Sequence, residues 1–209
     1  MSVKVKILFY VFLGFIILSI FPKESIAQTP LLKSGDSGQQ VTEVQESLAQ
    51  LGYFHVTPTG YYGTLTEEAV RQLQTDFDLT ADGTVGSQTW NQLMEIEKAA
   101  KVVNGEARGE SYEGQVAVAA VIKNRVQSSQ FPSTIEEVIH QENAFTPVHN
   151  GQYHLTPSSA AYQAVKDAWK GWDPSQGSTY FYNPQTSTSD WIFTNTTPKL
   201  EIEGHLFAD

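Results

Sequence analysis

Three carboxylates and one guanidinium fall within eight residues of this 209-residue chain: Glu106, Arg108, Glu110 and Glu113. Gly105 and Gly109 interrupt the run, and both permit close backbone approach. Immediately after it, residues 116–122 read VAVAAVI, apolar without a break. If the helix before this segment runs through, Glu106 and Glu110 share a face at i and i+4. Like charges there, beside a largely apolar helix, raise a carboxyl pKa. A carboxylic acid still protonated near neutral pH can protonate a glycosidic oxygen. The same spacing also fits a solvated acidic helix end, the commoner arrangement, and the spacing alone leaves both readings open.

Two elements must position these groups. Residues 95–103, EIEKAAKVV, are good helix formers that continue from an earlier helical stretch, so little linker separates the halves of the chain. The apolar run from Val116 predicts a helix buried on most faces, with Ser111 as its N-cap. Ser133 and Glu136 have capping-box spacing for a short helix through His140. Thr156-Pro157 reads as the opening of another helix, ended by Gly171. Residues 179–182, 191–194 and 200–207 read as short strands. The fold class is α+β: helix-rich, with a small antiparallel sheet.

The front half is built on a recurring spacing. Gly35/Gly38, Gly60/Gly63 and Gly83/Gly86 are three glycine pairs, each followed by a helix start. Ser37 with Gln40 and Thr64 with Glu67 fit capping boxes, and Ser87 is a third cap. Val41, Val44, Leu48 and Leu51 form one apolar stripe; Ala69, Val70, Leu73 and Phe77 form a second; Trp90, Leu93 and Met94 begin a third. Gly52 stops the first helix. No Gly-Lys-Ser/Thr follows any pair, so these are not phosphate loops.

Lys4 and Lys6, an apolar run over 7–21, Pro22 and the small residues Ser25 and Ala27 make the three-part pattern of a secretory leader spanning 1–27. The apolar run is short for a membrane span. Removing the leader leaves 10 basic and 22 acidic residues, a net charge of −12 against −10 for the whole chain. Such a charge argues against phosphate-tracking nucleic-acid binding. It also cannot draw the protein to an anionic cell wall by bulk attraction. Hydrogen bonds and aromatic faces must bind sugar or peptide instead, and 13 of the 19 aromatics beyond the leader lie from Tyr112 onward. With no Cys, disulfides, thiolate nucleophiles and Cys-ligated metals are excluded.

Leu48-x-x-Leu51-Gly52-Tyr53, Gly63-x-x-Thr66-x-x-Ala69-Val70 and Asp82-Gly83-x-Val85-Gly86-x-x-Thr89-Trp90 resemble the three-helix peptidoglycan-binding module. Its expected span is 33–94. The segment from Val103 to Glu110, with Tyr112-Glu113-Gly114-Gln115, the apolar helix and Asn124-Arg125, is similar to the spore cortex-lytic enzyme family, the SleB/CwlJ cell wall hydrolases. Phe131-Pro132, Ala144-Phe145-Thr146, Trp172-Asp173-Pro174, Tyr182-Asn183-Pro184 and Trp191-Ile192 extend the likeness over an expected catalytic unit at 98–209. The connector is shorter than is general in the germination enzyme.

The resemblance implies a lysozyme-like fold and lytic transglycosylase action on peptidoglycan glycan strands, at the bond from N-acetylmuramic acid to N-acetylglucosamine. It carries the catalytic acid to Glu106. Glu110 and Glu113 are the candidates if a second carboxylate is used; an Arg108 ion pair and favourable charge at a helix N-terminus are their structural alternatives. Phe145, Tyr182 and Trp191 are candidates for sugar contact, with core packing as the alternative, and Thr146 and Asn183 for hydrogen bonds to N-acetyl groups or for turns. No metal or other cofactor is expected. The expected protein is a secreted monomer of a bacterial wall or spore envelope, without stable membrane insertion once the leader is cleaved.

Two rivals stand beside this reading. A zinc peptidase or muramoyl-alanine amidase would need a ligand set, and His149-x-x-x-x-His154 in a loop is not the His-Glu-x-x-His helix. A purely wall-binding protein would leave Glu106 inert.

Overall fold

The computed structural model describes residues 29–142 and 144–209, without the side chains of His149 and Asn150. The leader expected at 1–27 lies outside the described residues. The order of elements is α1 (Gln39–Gln50), α2 (Thr64–Asp76), α3 (Ser87–Ala107), α4 (Tyr112–Gln127), α5 (Ile135–Ile139), α6 (Thr146–Asn150), a 3-10 turn (Gln152–His154), α7 (Ser159–Trp169), β1 (Tyr180–Tyr182), α8 (Asp190–Asn195), β2 (Pro198–Ile202) and β3 (His205–Ala208). Among the described residues no helix is long and apolar enough to cross a membrane.

The first two helices bury the stripes read from the sequence, Val41, Val44 and Leu48 on α1 and Ala69, Val70 and Leu73 on α2; on α3 Leu93 is buried and Trp90 partly so, but Met94 is exposed and Ile96 takes the core position. The expected capping boxes do not form. Gly38, Gly63 and Gly86 are themselves the N-caps, and none of these helix starts has a side-chain cap. Two buried amides hold the turns from the preceding helix instead. Gln45 accepts from the N–H groups of Thr59 and Gly60 and donates to Tyr61 O and Thr66 Oγ1. Gln74 accepts from Gly83 N and donates to Asp82 Oδ1, Thr84 O and Thr89 Oγ1. Each amide staples the glycine turn that launches the next helix, so the turn is held by tertiary rather than local bonds. Tyr62 is fully buried with its hydroxyl donating to Gly83 O, and Tyr53 donates to Asp76, whereas Tyr61 is exposed.

Helix α3 is shared. Its 21 residues, about 31 Å at 1.5 Å per residue, carry the chain from the first unit into the second without a linker. Its far half buries Ala99, Ala100, Val102 and Val103 against α4 and α7. One hydrophobic core runs through both units. The seam between them is also polar: Lys166 Nζ donates to Leu51 O at 2.7 Å, Lys170 pairs with Asp76 at 3.0 Å, and Ser159 Oγ donates to Gln50 at 2.6 Å. Trp169 stacks on Phe77 across it.

Helix α4 is buried along nearly its whole length, as its composition demands. Ser111 caps it, accepting from Gly114 N at 3.2 Å. At its other end three consecutive polar residues pin α7 and the approach to the sheet. Lys123 Nζ donates to the carbonyls of Ala168 and Trp169 at the C-terminus of α7, where a cation is favoured. Asn124 donates to Asp173 and to Ser178 O, and Arg125 Nε donates to Thr179 O at the entry to β1.

The sheet is antiparallel in the order β1-β3-β2. Four local expectations are corrected. Residues 200–207 are two strands joined by a two-residue turn, with Glu203 at φ 49° and Gly204 at φ 82°, the double positive φ of a type I′ hairpin. Residues 191–194 lie in helix α8, not a strand; a short aromatic stretch does not carry enough period to tell the two apart. The short helix at 135 is capped by Thr134 rather than Ser133, and α7 by Ser158, two residues beyond Thr156, because in each case that hydroxyl accepts the free N–H three residues on.

Candidate active site

Glu106 is the penultimate residue of α3. The helix ends one residue later: the N–H of Glu110 turns back to Ala107 O at 3.0 Å, and the chain reverses into Ser111 and α4. Glu110 is therefore off the helix, and the common face expected for Glu106 and Glu110 does not exist.

The carboxyl of Glu106 is fixed from across the fold. Thr146 N–H donates to Glu106 Oε1 at 2.7 Å. That amide arrives there because Gly105 has no side chain: a Cβ at Gly105 would lie 2.5 Å from Cβ and Cγ of Pro147. Only a bare backbone lets the start of α6 settle on the end of α3. Burial raises the Glu106 pKa to about 7, and the Thr146 N–H, which favours the charged form, only partly offsets this. The cause is lost hydration, not the repulsion between carboxylates that the spacing suggested.

Glu106 lines a narrow cleft with room for about one water molecule. Its apolar walls include Val118, Phe181 and Phe207, and its polar wall is Glu110 and His205. His205 Nδ1 stands 3.9 Å from Glu110 Oε1, and its ring meets the edge of Phe181. Gly114 leaves room here; a Cβ on it would lie 3.0 Å from Glu110 Cβ. Glu203, at the hairpin tip, accepts the Ser111 N–H at 2.6 Å, which holds its carboxyl below the ordinary range. That bond ties the hairpin to the turn after Glu106 and offsets the cost of a glutamate at positive φ.

The remaining predicted residues separate. Glu113 is exposed in the first turn of α4, where its charge suits the helix N-terminus, and it does not line the cleft. Among the described residues Arg108 forms no ion pair with Glu110 or Glu113. Phe145 is 1% exposed and packs in the core, so its side chain offers no surface to a sugar. Thr146 contributes its backbone N–H. Asn183 serves a turn, its Oδ1 accepting from Gln185 N. Tyr182 and Trp191 are not beside Glu106. Phe181 faces the cleft, so by strand alternation Tyr180 and Tyr182 point to the other face of the sheet. Helix α8 covers that face through Trp191 on Tyr180 and Phe193 on Tyr182. Trp191 is nonetheless 55% exposed. Of the rival histidines, His154 packs edge-on to Tyr153, and the side chain of His149 lies outside the described residues.

His205, Glu203 and Phe181 escaped the sequence reading, and Gly114 entered it only as part of a motif, without a role. The dipeptide Glu203-Gly204 carried a signal, since acidic-Gly between alternating residues marks a tight hairpin and would have brought His205 back toward the cleft. Nothing local pointed to Phe181.

Comparison with known proteins defines the class. Residues 37–93 match the family described as Putative peptidoglycan binding domain, and residues 109–208 match Cell Wall Hydrolase, a match that begins three residues after Glu106. The chain is a cell wall lytic enzyme with a peptidoglycan-binding unit in front. A spore cortex-lytic enzyme of Bacillus cereus is 35% identical over 223 residues, covering 85% of this chain and 86% of the relative. The catalytic domain of the germination-specific lytic transglycosylase SleB from Bacillus anthracis superposes with a TM-score of 0.53 at 50% identity, over 55% of this chain and 93% of that one. The Bacillus cereus SleB catalytic domain gives 0.52 at 49% identity, over 55% and 89%. The chain belongs to the spore cortex-lytic enzyme family.

Proposed function

We propose that this protein cleaves the bond from N-acetylmuramic acid to N-acetylglucosamine in peptidoglycan as a lytic transglycosylase, with Glu106 as its acid. The reading rests on one observation: a single carboxyl, pushed to about pKa 7 by burial and aimed by the Thr146 N–H, lines a narrow cleft of the chain. The relatives' activities on spore cortex point the same way, and they make the cortex the first substrate to try. Residues 33–94 serve as the wall-binding unit and 98–209 as the catalytic unit, acting outside the cell membrane.

In the step itself, protonated Glu106 gives its proton to the bridging oxygen as the C1–O bond breaks through an oxocarbenium-like state. The muramic acid 6-hydroxyl attacks C1 and returns its proton to Glu106. The products are a 1,6-anhydro-muramyl end and a free 4-hydroxyl, and the acid is regenerated. No water enters, so no second carboxylate is needed to activate one. Glu110, across the cleft, is the group that would do so in a hydrolytic version.

Mass spectrometry of fragments released from cortex and from vegetative peptidoglycan tests this. The expected result is anhydro ends, insensitive to EDTA and abolished in Glu106→Gln. Reducing ends would restore a two-carboxylate mechanism, and cleaved amide bonds would overturn the glycosidic assignment.

A further inference from the structure

An open groove of about 490 Å³ lies on the seam between the two units and has no part in the reaction at Glu106. Tyr53, Glu68, Arg71 and Asp76 line it from the first unit, Lys166 and Lys170 from α7 of the second. Three cations thus meet two carboxylates there, in a chain whose acidic residues outnumber its basic ones 23 to 13. A local positive excess is what lets an acidic protein hold an anionic group.

Most of these charges are already matched. Lys170 pairs with Asp76 at 3.0 Å, and Tyr53 donates to the same carboxylate at 2.7 Å. Arg71 pairs with Glu67 at 2.7 Å and donates to Ala81 O at 2.9 Å. Lys166 has no such counter-ion among the described residues. Its Nζ donates to Leu51 O at 2.7 Å and stands 5.1 Å from the centre of the Tyr53 ring. Leu51 is the C-cap of α1, where carbonyls lack partners within the helix and a cation is favoured. Gly52, at φ 74°, follows it, and a Cβ there would lie 3.5 Å from Nζ. Carbonyl and ring therefore fix the ammonium at the wall of the groove. An ammonium has three donors, and the Leu51 carbonyl uses one. Glu68 is exposed on the same groove, and it too makes no ion pair among the described residues.

A neutral sugar would leave both charges unmatched, and a polyphosphate would meet Glu68 and Asp76. A ligand that carries a carboxylate and an amine a few atoms apart satisfies Lys166 and Glu68 together. In peptidoglycan that chemistry belongs to the stem peptide, with its free carboxyls and the amine of its diamino acid. We infer that the seam groove binds the stem peptide, with Lys166 taking a carboxylate and Glu68 the amine. The groove has the volume of a small-ligand site. Of its nine lining residues, seven fall within the span matched as a peptidoglycan binding domain and two come from α7, so the site exists only where the units lie side by side. It goes beyond the proposed reaction, and rests on that reading only in taking peptidoglycan as the ligand.

The probe is N-acetyl-L-alanyl-γ-D-glutamyl-meso-diaminopimelyl-D-alanine, which has no glycosidic bond and so reports binding apart from catalysis. Calorimetry on the full-length wild type is expected to show one site. The same peptide with every carboxyl converted to an amide is expected to bind about tenfold more weakly, the effect of losing one charge-assisted contact. Lys166→Gln is expected to bind both forms equally weakly, and Lys166→Arg to restore the preference for the acid. A purely structural role for Lys166 would weaken both forms alike and keep their ratio, and that result overturns the inference. Because Lys166 also ties the units together, a further measurement uses the wild type alone. In a nitrogen-15 NMR titration the backbone N–H signals of Gly52 and Tyr53 are expected to move with the acid peptide. Movement confined to residues away from the groove overturns the inference, as does tighter binding of poly(glycerol phosphate) than of the peptide. Failure of the wild type to release anhydro or reducing ends defeats the proposed function; normal release without peptide binding defeats only the groove.

Discussion

Pro147 lies so close over Gly105 that a methyl group on Gly105 would sit 2.5 Å from its ring. The ring is stiff and buried, so neither partner can give. Gly105→Ala is expected to push α6 off α3 and lengthen the bond from Thr146 N–H to Glu106. Overpacking of this kind costs about 1–3 kcal/mol. The accompanying loss of wall lysis should exceed what that destabilisation alone produces, because the acid loses its aim. Gly109→Ala is the control: nothing lies within 4 Å of a Cβ there, and thermal unfolding and lysis should both stay close to wild type.

The raised pKa of Glu106 sets the pH dependence. As a proton donor it must start protonated, so kcat/KM is expected to fall on the alkaline side with a midpoint near 7. The single-acid mechanism adds no acidic limb from a second group. A profile on soluble glycan fragments, between pH 4 and 9, checks both statements. A bell with an additional limb in the ordinary carboxylate range would place a second ionised carboxylate in the reaction, with Glu110 the first to examine.

The same carboxyl makes a stability prediction of definite sign. Its pKa is about 7 in the folded chain against an ordinary 4.5, so the folded state holds the proton more tightly. The stabilisation from holding it is whole below about pH 4.5 and is lost as pH rises through 7. Above that, the native protein carries a poorly hydrated carboxylate. Glu106→Gln keeps an acceptor for Thr146 N–H and removes the charge. The variant should be more stable than wild type at pH 8, by on the order of 2 kcal/mol in denaturant unfolding, and the two should converge by about pH 4.5. A constant difference across that range would show that burial does not control this group.

What the sequence made legible were features with a period or a punctuating residue. The stripes on α1 and α2, the run of α3 across both units, the buried α4 and its Ser111 cap are all in the structure. Spacing left Glu106 open between an acid and a solvated helix end, and the family resemblance singled it out; its raised pKa is in the structure, but burial rather than repulsion is the cause. Repulsion by Glu110 was inferred from spacing, and spacing cannot foresee that α3 stops at Ala107. What stayed hidden was tertiary. His205 reaches the cleft only through a hairpin near the C-terminus, and Arg125 looks like any helix-end cation until the rings of Phe131, Phe145 and Tyr180 close on it. Aromatic residues misled most, since Phe145 and Trp191 differ in burial and not in type.

The two amide staples of the wall-binding unit offer the last test. Gln74 accepts from the Gly83 N–H and shares its two N–H groups among acceptors around the third glycine turn, and Leu in its place would strand the buried Gly83 N–H. Unmet buried groups cost about 1–3 kcal/mol each, so Gln74→Leu should destabilise by that order although it adds apolar surface. Gln45→Leu should act alike, through the Thr59 and Gly60 N–H groups and the Tyr61 carbonyl. Both turns lie far along the chain from Glu106, but α3 begins at the third and carries Glu106 in its last turn. Damage at Gln74 should therefore reach the catalytic unit, lowering turnover on small soluble fragments as well as binding to intact wall. Damage at Gln45, one helix further away, should weaken wall binding more than fragment turnover. Equal losses of turnover in the two variants would show that the shared core, rather than α3, couples the units.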